Sequence, residues 1–204
     1  MIKVTEKNGI FSVPYVDKVE RIYRVFLSRK IKKMTWYRVA EEAEAAFGWT
    51  HKVLKSLEND GIIKEYKIKD PKALFKRWVD RKDRRVYREY HAQNPAEILK
   101  NSEMDYALTG YFAENLIGHY LFPRYYQLYI HPKDAANWHS LLSENAYVGK
   151  GNIQILIADE HVFYEKDEVD GWPTVSIQQL IVDLYREGAE CVEAADLLLM
   201  RVYQ

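Results

Sequence analysis

Apolar positions in the first eighty residues recur every three or four residues. Val16, Val19, Ile22, Tyr23, Phe26 and Leu27 make the first stripe and predict a helix over about 17–28. Val39, Ala40, Ala43 and Phe47 make a second, which Gly48 is expected to break. Val53, Leu54 and Leu57 make a third, stopped by Gly61. Thr35 stands where a cap for the second helix belongs. Beyond Gly61 the helical period ends and Ile62-Ile63 begins an extended segment. Asp70-Pro71, a cap residue before a proline, then opens a helix to about residue 80. Its Leu74, Phe75, Trp78 and Val79 share one side and are expected to pack on the helices before it. Two helices on a tight turn followed by a short strand is the layout of a winged helix-turn-helix.

The second half alternates short apolar runs with helical patterns. Asn94-Pro95 repeats the cap-plus-proline signal and predicts a helix to about Asn101. Strands are expected at Tyr106–Thr109, Tyr125–Ile130 and Asn152–Ala158. Helices are expected over 111–118, 133–145, 176–187 and 190–203, with Ser176 as a cap and Gly188 as a stop. The last helix is apolar over so wide an arc that burial on two sides follows. Residues 81–91 (RKDRRVYREYH) read as a charged linker or a backbone-contacting extension, and 159–170 as an acidic loop. The division expected is 1–83 and 84–204. The fold class expected is α+β: an N-terminal winged helix-turn-helix followed by a small α/β domain with few strands.

Charge changes the picture more than composition does. The chain of 204 residues carries 30 basic and 30 acidic side chains. Residues 1–90 hold 23 basic and 13 acidic ones, a net of +10, and residues 91–204 hold 7 and 17, a net of −10. A basic half bearing a helix-turn-helix pattern is the footprint of a nucleic-acid partner. On the third helix, Thr50, His51, Lys52 and Lys55 lie away from the Leu54/Leu57 stripe, near the end that enters the major groove. Lys64, Lys67 and Lys69 follow in the wing, where phosphate contact is the usual role. These seven are the candidate DNA-binding residues. The basic connector Arg29, Lys30, Lys32 and Lys33 is either solvated or a further backbone contact. In the acidic loop, Glu165, Asp167 and Glu168 are candidate partner-binding residues, facing a basic surface on another protein or on the chain's own first half.

Other chemistry finds little support. The single cysteine, Cys191, excludes an internal disulfide and a cysteine-cluster zinc site, and its apolar surroundings point to an inert buried thiol. No histidine falls at metal-ligand spacing; His161, beside Asp159 and Glu160, reads as a surface feature. Neither a signal peptide nor an apolar run of membrane-spanning length is evident, so a soluble cytoplasmic protein is expected, with no cofactor and no metal.

The ordered set of features resembles AbiEi-type antitoxins and related regulators of type IV toxin–antitoxin systems. The resemblance rests on the winged-helix pattern, the Asp70-Pro71-Lys-Ala-Leu segment, Tyr106-Ala-Leu-Thr109-Gly110 with the helix behind it, and the Asn152-Ile-Gln-Ile-Leu strand. It extends through Asp170-Gly-Trp-Pro-Thr-Val-Ser-Ile-Gln-Gln-Leu-Ile-Val-Asp183-Leu184 and the Glu193-Ala-Ala-Asp-Leu-Leu helix, and so covers most of the chain. It implies an autorepressing DNA-binding regulator of its own operator, with a degenerate nucleotidyltransferase-like second domain that neutralises a cognate toxin. Self-association as a homodimer on paired half-sites goes with it. Two alternatives belong to other classes: an active nucleotidyltransferase, and a winged-helix module that docks another protein. Nucleotidyl transfer requires two metal-binding carboxylates at alternate positions on the strand after the Thr109-Gly110 turn. Gln127 and Tyr129 stand there, and neither supplies the anionic oxygens that Mg²⁺ demands. No catalytic residue is therefore expected.

Overall fold

The computed structural model describes residues 16–28, 35–82 and 86–203. The expected leader, the connector Arg29–Lys33 and the basic pair Arg84-Arg85 lie outside the described residues. Helix α1 (Lys18–Leu27) starts at Asp17, whose carboxylate accepts from the Val19 amide. Helix α2 (Trp36–Glu42) starts at Thr35, whose hydroxyl accepts from the Arg38 amide, so the expected cap is present. Helix α3 (Phe47–Asn59) begins one residue before Gly48. Gly48 therefore lies in the first turn of α3 and does not end α2, which has already stopped at Glu42. Gly61, at φ +72°, turns the chain out of α3, a conformation glycine adopts without steric cost. Strands β1 (Ile63–Lys64) and β2 (Lys67–Ile68) form a two-stranded hairpin. Helix α4 (Pro71–Val79) starts where the Asp70-Pro71 signal places it.

The rest of the chain builds a larger sheet than its sequence suggests. Strand β3 (Val86–His91) occupies the stretch read as a charged linker. It is followed by helix α5 (Pro95–Lys100), strand β4 (Tyr106–Thr109), helix α6 (Gly110–Ile117), strand β5 (Tyr126–Ile130) and helix α7 (Ala135–Asn145). Strand β6 (Tyr147–Val148), strand β7 (Ile153–Ile157), strand β8 (Asp167–Val169) and strand β9 (Trp172–Thr174) come next. Helices α8 (Ile177–Glu187) and α9 (Glu190–Tyr203) close the fold. Among the described residues seven strands lie in one mixed sheet, in the order β6-β3-β7-β5-β4-β9-β8. The architecture is mixed α+β. The expected acidic loop is a 3₁₀ turn (Glu160–Phe163) followed by the edge strand β8.

Alternation along β4 fixes which helix meets which face. Tyr106 packs edge-on against Trp138 of α7, with ring centroids 5.7 Å apart, whereas Thr109 hydrogen-bonds Asp183 of α8. Residues of opposite parity face opposite sides of a sheet, so α7 and α8 sandwich β4. Tyr129 and Gln127 of β5 pair with Ala107 and Thr109 and share the α8 side.

The buried core runs without interruption from the α1–α4 unit into the sheet. Helix α4 was expected to pack on the helices before it; it packs on α1 and also on α8 and α9, with α8 its main neighbour. Trp78 and Phe75, both fully buried, stack on each other, and Phe75 meets Tyr203 edge-on. Burying each such ring contributes about 1.5–3 kcal/mol. Helix α9 is buried along Cys191, Ala194, Ala195, Leu198, Leu199 and Val202, while Val192, Leu197 and Met200 stay exposed. No helix among the described residues is long and apolar enough to cross a membrane.

Candidate nucleic-acid interface

Three buried residues settle the orientation of α3. Thr50, Leu54 and Leu57 are buried, which turns Gly48, Lys52, Lys55 and Asn59 outward on the opposite side. The side chains of Lys52 and Lys55 form a ridge down this outer face, with the glycine leaving bare backbone at its upper end. Phe47 and His51 make one shoulder of the ridge and Trp49 the other. Lys52 Nζ lies 5.6 Å from the centroid of the Trp49 ring, a cation–π contact. Lys55 Nζ is 2.6 Å from Glu58, whose carboxylate also accepts from the Glu65 amide at 3.0 Å. Lys55, with that amide, holds the Glu58 carboxyl below its ordinary range.

The hairpin is held beside this face. Trp36 Nε1 donates to the Glu65 carbonyl at 3.2 Å, and the Trp36 ring meets His51 edge-on at 5.0 Å. Lys64 and Lys67 pair across the hairpin and are exposed, as is Lys69 beyond it. Of the seven residues expected at a DNA surface, six are exposed. Thr50 is the exception: it is fully buried and its hydroxyl donates to the Ala46 carbonyl at 3.2 Å. A threonine bonded back to the carbonyl one turn earlier packs well inside a helix bundle, which the exposed-face reading overlooked.

The acidic candidates part company. Glu165 is turned inward and accepts a hydrogen bond from the Ser28 hydroxyl at the end of α1. Asp167 and Glu168 are exposed on the edge strand β8. Two further residues of the stretch are spent within the fold. Asp159 takes both Nε and Nη2 of Arg21 at 2.6 Å, and against its own burial that pairing holds its carboxyl below the usual range. Lys166 pairs with Asp105.

His161 is not a surface feature. It is 9% exposed, its Nε2 lies 3.0 Å from the Glu42 carbonyl and its Nδ1 2.9 Å from Arg24 Nη1. A neutral ring that donates from Nε2 and accepts at Nδ1 satisfies both contacts. Burial, with the nearby Arg24 charge, pushes its pKa down to about 4. Arg24 itself is buried, with its guanidinium 5.2 Å from the Trp78 ring centroid. Gln179 accepts from Arg24 and donates to Asp183 at 2.9 Å, and Asp183 accepts from Thr109 at 2.7 Å and Tyr129 at 3.0 Å. One polar chain thus links α1 to the sheet. The sequence carried a signal for it: Arg24 interrupts the apolar stripe of α1, and Asp183 sits between Val182 and Leu184.

Gln127 and Tyr129, the two positions at which nucleotidyl transfer would require carboxylates, are both buried and hydrogen-bonded within the fold. Gln127 Oε1 accepts from the Tyr111 amide at the start of α6, at 3.2 Å. Its Nε2 donates to Gln154, which donates onward to Glu89, both at 2.9 Å. Among the described residues no group of three His, Cys, Asp or Glu side chains is placed to hold a metal ion. Cys191 is buried, and burial pushes its thiol up to about 11. An open polar cleft of about 550 Å³ lies between α2 and the 3₁₀ turn, lined by Arg21, Arg38, Glu41, Glu44, Glu160 and His161. Its cations already have partners, Arg38 in Glu42 at 2.7 Å and Arg21 in Asp159 and Glu44.

Comparison with family models, with curated proteins and with solved structures finds no match to this chain.

Proposed function

We propose that this chain is a DNA-binding transcriptional regulator whose α1–α3 unit and β1–β2 hairpin act as a winged helix-turn-helix. The observation that carries the reading is the outer face of α3, where Lys52 and Lys55 form a ridge with bare backbone at Gly48 and the hairpin lysines alongside. An α-helix fits the major groove of duplex DNA, and lysines beside it on a wing reach phosphate. The second unit is read as a nucleotidyltransferase-like interaction domain without catalysis, because Gln127 and Tyr129 stand where the metal-binding carboxylates would be needed. In an antitoxin role its partner would be a toxin with a basic surface, met by Asp167 and Glu168 on the exposed edge of β8. Glu165, committed to Ser28, drops out of that partner surface.

The test is gel-shift binding of the purified protein to the DNA upstream of its own gene, across a salt series, with Lys52→Ala/Lys55→Ala as control. Tight binding that weakens with salt and is lost in the double variant supports the reading. Absence of binding to any duplex at low salt removes it, since a basic winged helix keeps weak non-specific affinity.

A further inference from the structure

We propose that the aromatic shoulders of α3 form a stacking platform for unpaired nucleobases, so that single-stranded nucleic acid is a ligand of this surface. The proposal rests on the nucleic-acid reading above and adds a second ligand to the same surface.

Among the described residues four of the seven large exposed aromatics lie here, the other three being Tyr120, Phe122 and Tyr147. Tyr37 is 69% exposed, Phe47 48%, Trp49 45% and Tyr66 51%, and all four lie within α2, α3 and the hairpin tip. Isolated exposed rings are ordinary, but grouped ones mark a binding surface. Two of the four, Tyr37 and Phe47, belong to a continuous row of rings on one shoulder of α3, and Trp49 stands on the other. Tyr37 and Phe47 have centroids 6.1 Å apart, Phe47 and His51 6.1 Å, and His51 and Trp36 5.0 Å. The Trp36–Glu65 hydrogen bond then brings the hairpin tip, with Tyr66, up to the end of this row.

The charge between the rings selects the occupant. Lys52 lies against Trp49, and Lys64 and Lys67 bracket Tyr66 in the hairpin. Lysine is depleted in the centre of protein–protein interfaces, whereas rings interleaved with cations on a surface are the composition of single-strand binders. A protein partner is thus the poorer fit. Duplex DNA leaves the rings unexplained. Base edges in a groove are read mostly by hydrogen-bonding groups, and the apolar contact open to Phe47 there, a thymine methyl, leaves the row of ring faces unused. A base out of its stack presents the π-face that Phe47, Trp49 and Tyr37 can cover while the lysines follow the backbone.

The experiment uses the full chain and two fluorescein-labelled probes of equal length, an oligothymidylate and a random-sequence duplex, read by anisotropy. Phe47→Ala and Trp49→Ala should each weaken oligothymidylate binding about 5- to 100-fold, the range expected for loss of one stacked base. Phe47→Tyr and Trp49→Phe should keep wild-type affinity, and in the two alanine variants duplex binding should fall by much less than oligothymidylate binding. If the wild type binds duplex but not oligothymidylate, the platform is overturned and the regulator reading stands. Equal losses on both probes mean that the rings meet the duplex itself, which also overturns it. Binding of neither probe at low salt sinks both readings. Should an alanine variant fail to melt cooperatively, wild-type competition decides: oligothymidylate that does not displace the duplex overturns the proposal.

Discussion

Arg24 and Gln179, 155 residues apart in the chain, are joined by a two-pronged hydrogen bond: Nε and Nη2 of the guanidinium reach one amide oxygen at 3.0 and 2.8 Å. Among the described residues no carboxylate pairs with Arg24 directly; its charge is balanced at a distance, by Glu20 and Asp159 first and by Asp183 beyond Gln179. Burial lowers the Arg24 pKa from its ordinary value, so the guanidinium is held at a cost that the network, with the Trp78 ring, offsets. This joint, with Arg186–Glu20 at 2.5 Å and Tyr203–Leu27 at 2.9 Å, locks the helical unit onto α8 and α9.

Removing Arg24 should therefore be costly. Arg24→Ala leaves Gln179 and His161 without their shared partner and should lower stability by about 3–5 kcal/mol, the range for breaking a buried ionic network. Arg24→Met, which fills the space without a charge, should cost less than the alanine variant. Chemical denaturation of the three proteins checks both statements. Equal stability of Arg24→Ala and wild type would mean that the joint contributes nothing.

His161 should make stability depend on pH. Its folded pKa of about 4 lies below the ordinary value of 6.5, because of burial first and the Arg24 charge second. Between those two values the unfolded chain binds the proton and the folded one does not, so stability falls as pH is lowered from about 6.5 to about 4 and this contribution flattens below it. The loss expected is a few kcal/mol, on the order of the free-energy equivalent of the shift. Arg21, Arg24 and Asp159 surround the ring; Asp159, held below its usual range, adds its own loss only at lower pH. Urea melts at pH 7 and pH 4.5 should show the slope, and His161→Gln should flatten it.

Thr50 should matter to the fold and not to the ligand. Thr50→Val removes a buried hydroxyl bonded to Ala46 and should change stability by about 1 kcal/mol either way. Its DNA affinity should match wild type, whereas Lys67→Ala on the exposed hairpin should shallow the salt slope by about one unit. An unchanged slope for Lys67→Ala would count against phosphate contact by the hairpin.

Two glycines should respond oppositely to alanine. At Gly48, a helical residue, a Cβ would meet nothing within 4 Å, and Gly48→Ala should gain up to about 1 kcal/mol from helix propensity. At Gly110, where φ is +59°, the added Cβ would lie 1.5 Å from Gln127 Oε1. Gln127 is 5% exposed and caps the Tyr111 amide, so it has little room to give. Gly110→Ala should cost about 1–3 kcal/mol. Thermal melts of the two variants distinguish them by sign.

What the sequence determined by itself is local. The apolar spacing placed α1, α3, α4, α8 and α9, and Asp17, Thr35, Asp70 and Ser176 cap their helices by bonds to amides two or three residues on. Such bonds close within one turn of chain, so residue order alone specifies them. The lysine ridge of α3 was legible for the same reason, since helical period sets which residues share a face. Tertiary structure decided the rest. Val86–His91 is rich in charge and reads as a linker, yet it is a strand because β7 supplies a five-residue antiparallel ladder from more than sixty positions away. His161 and Arg24 are polar in any local reading, and they are buried because they find each other, and Arg24 finds Gln179, across the fold. Thr50 lies inside because α3 turns that side of its first coil toward the core, and the aromatic row became visible only when Trp36 tied the hairpin back beside α3. A buried polar group is decided by its partner, and a partner more than a hundred residues away leaves no mark on the neighbouring sequence.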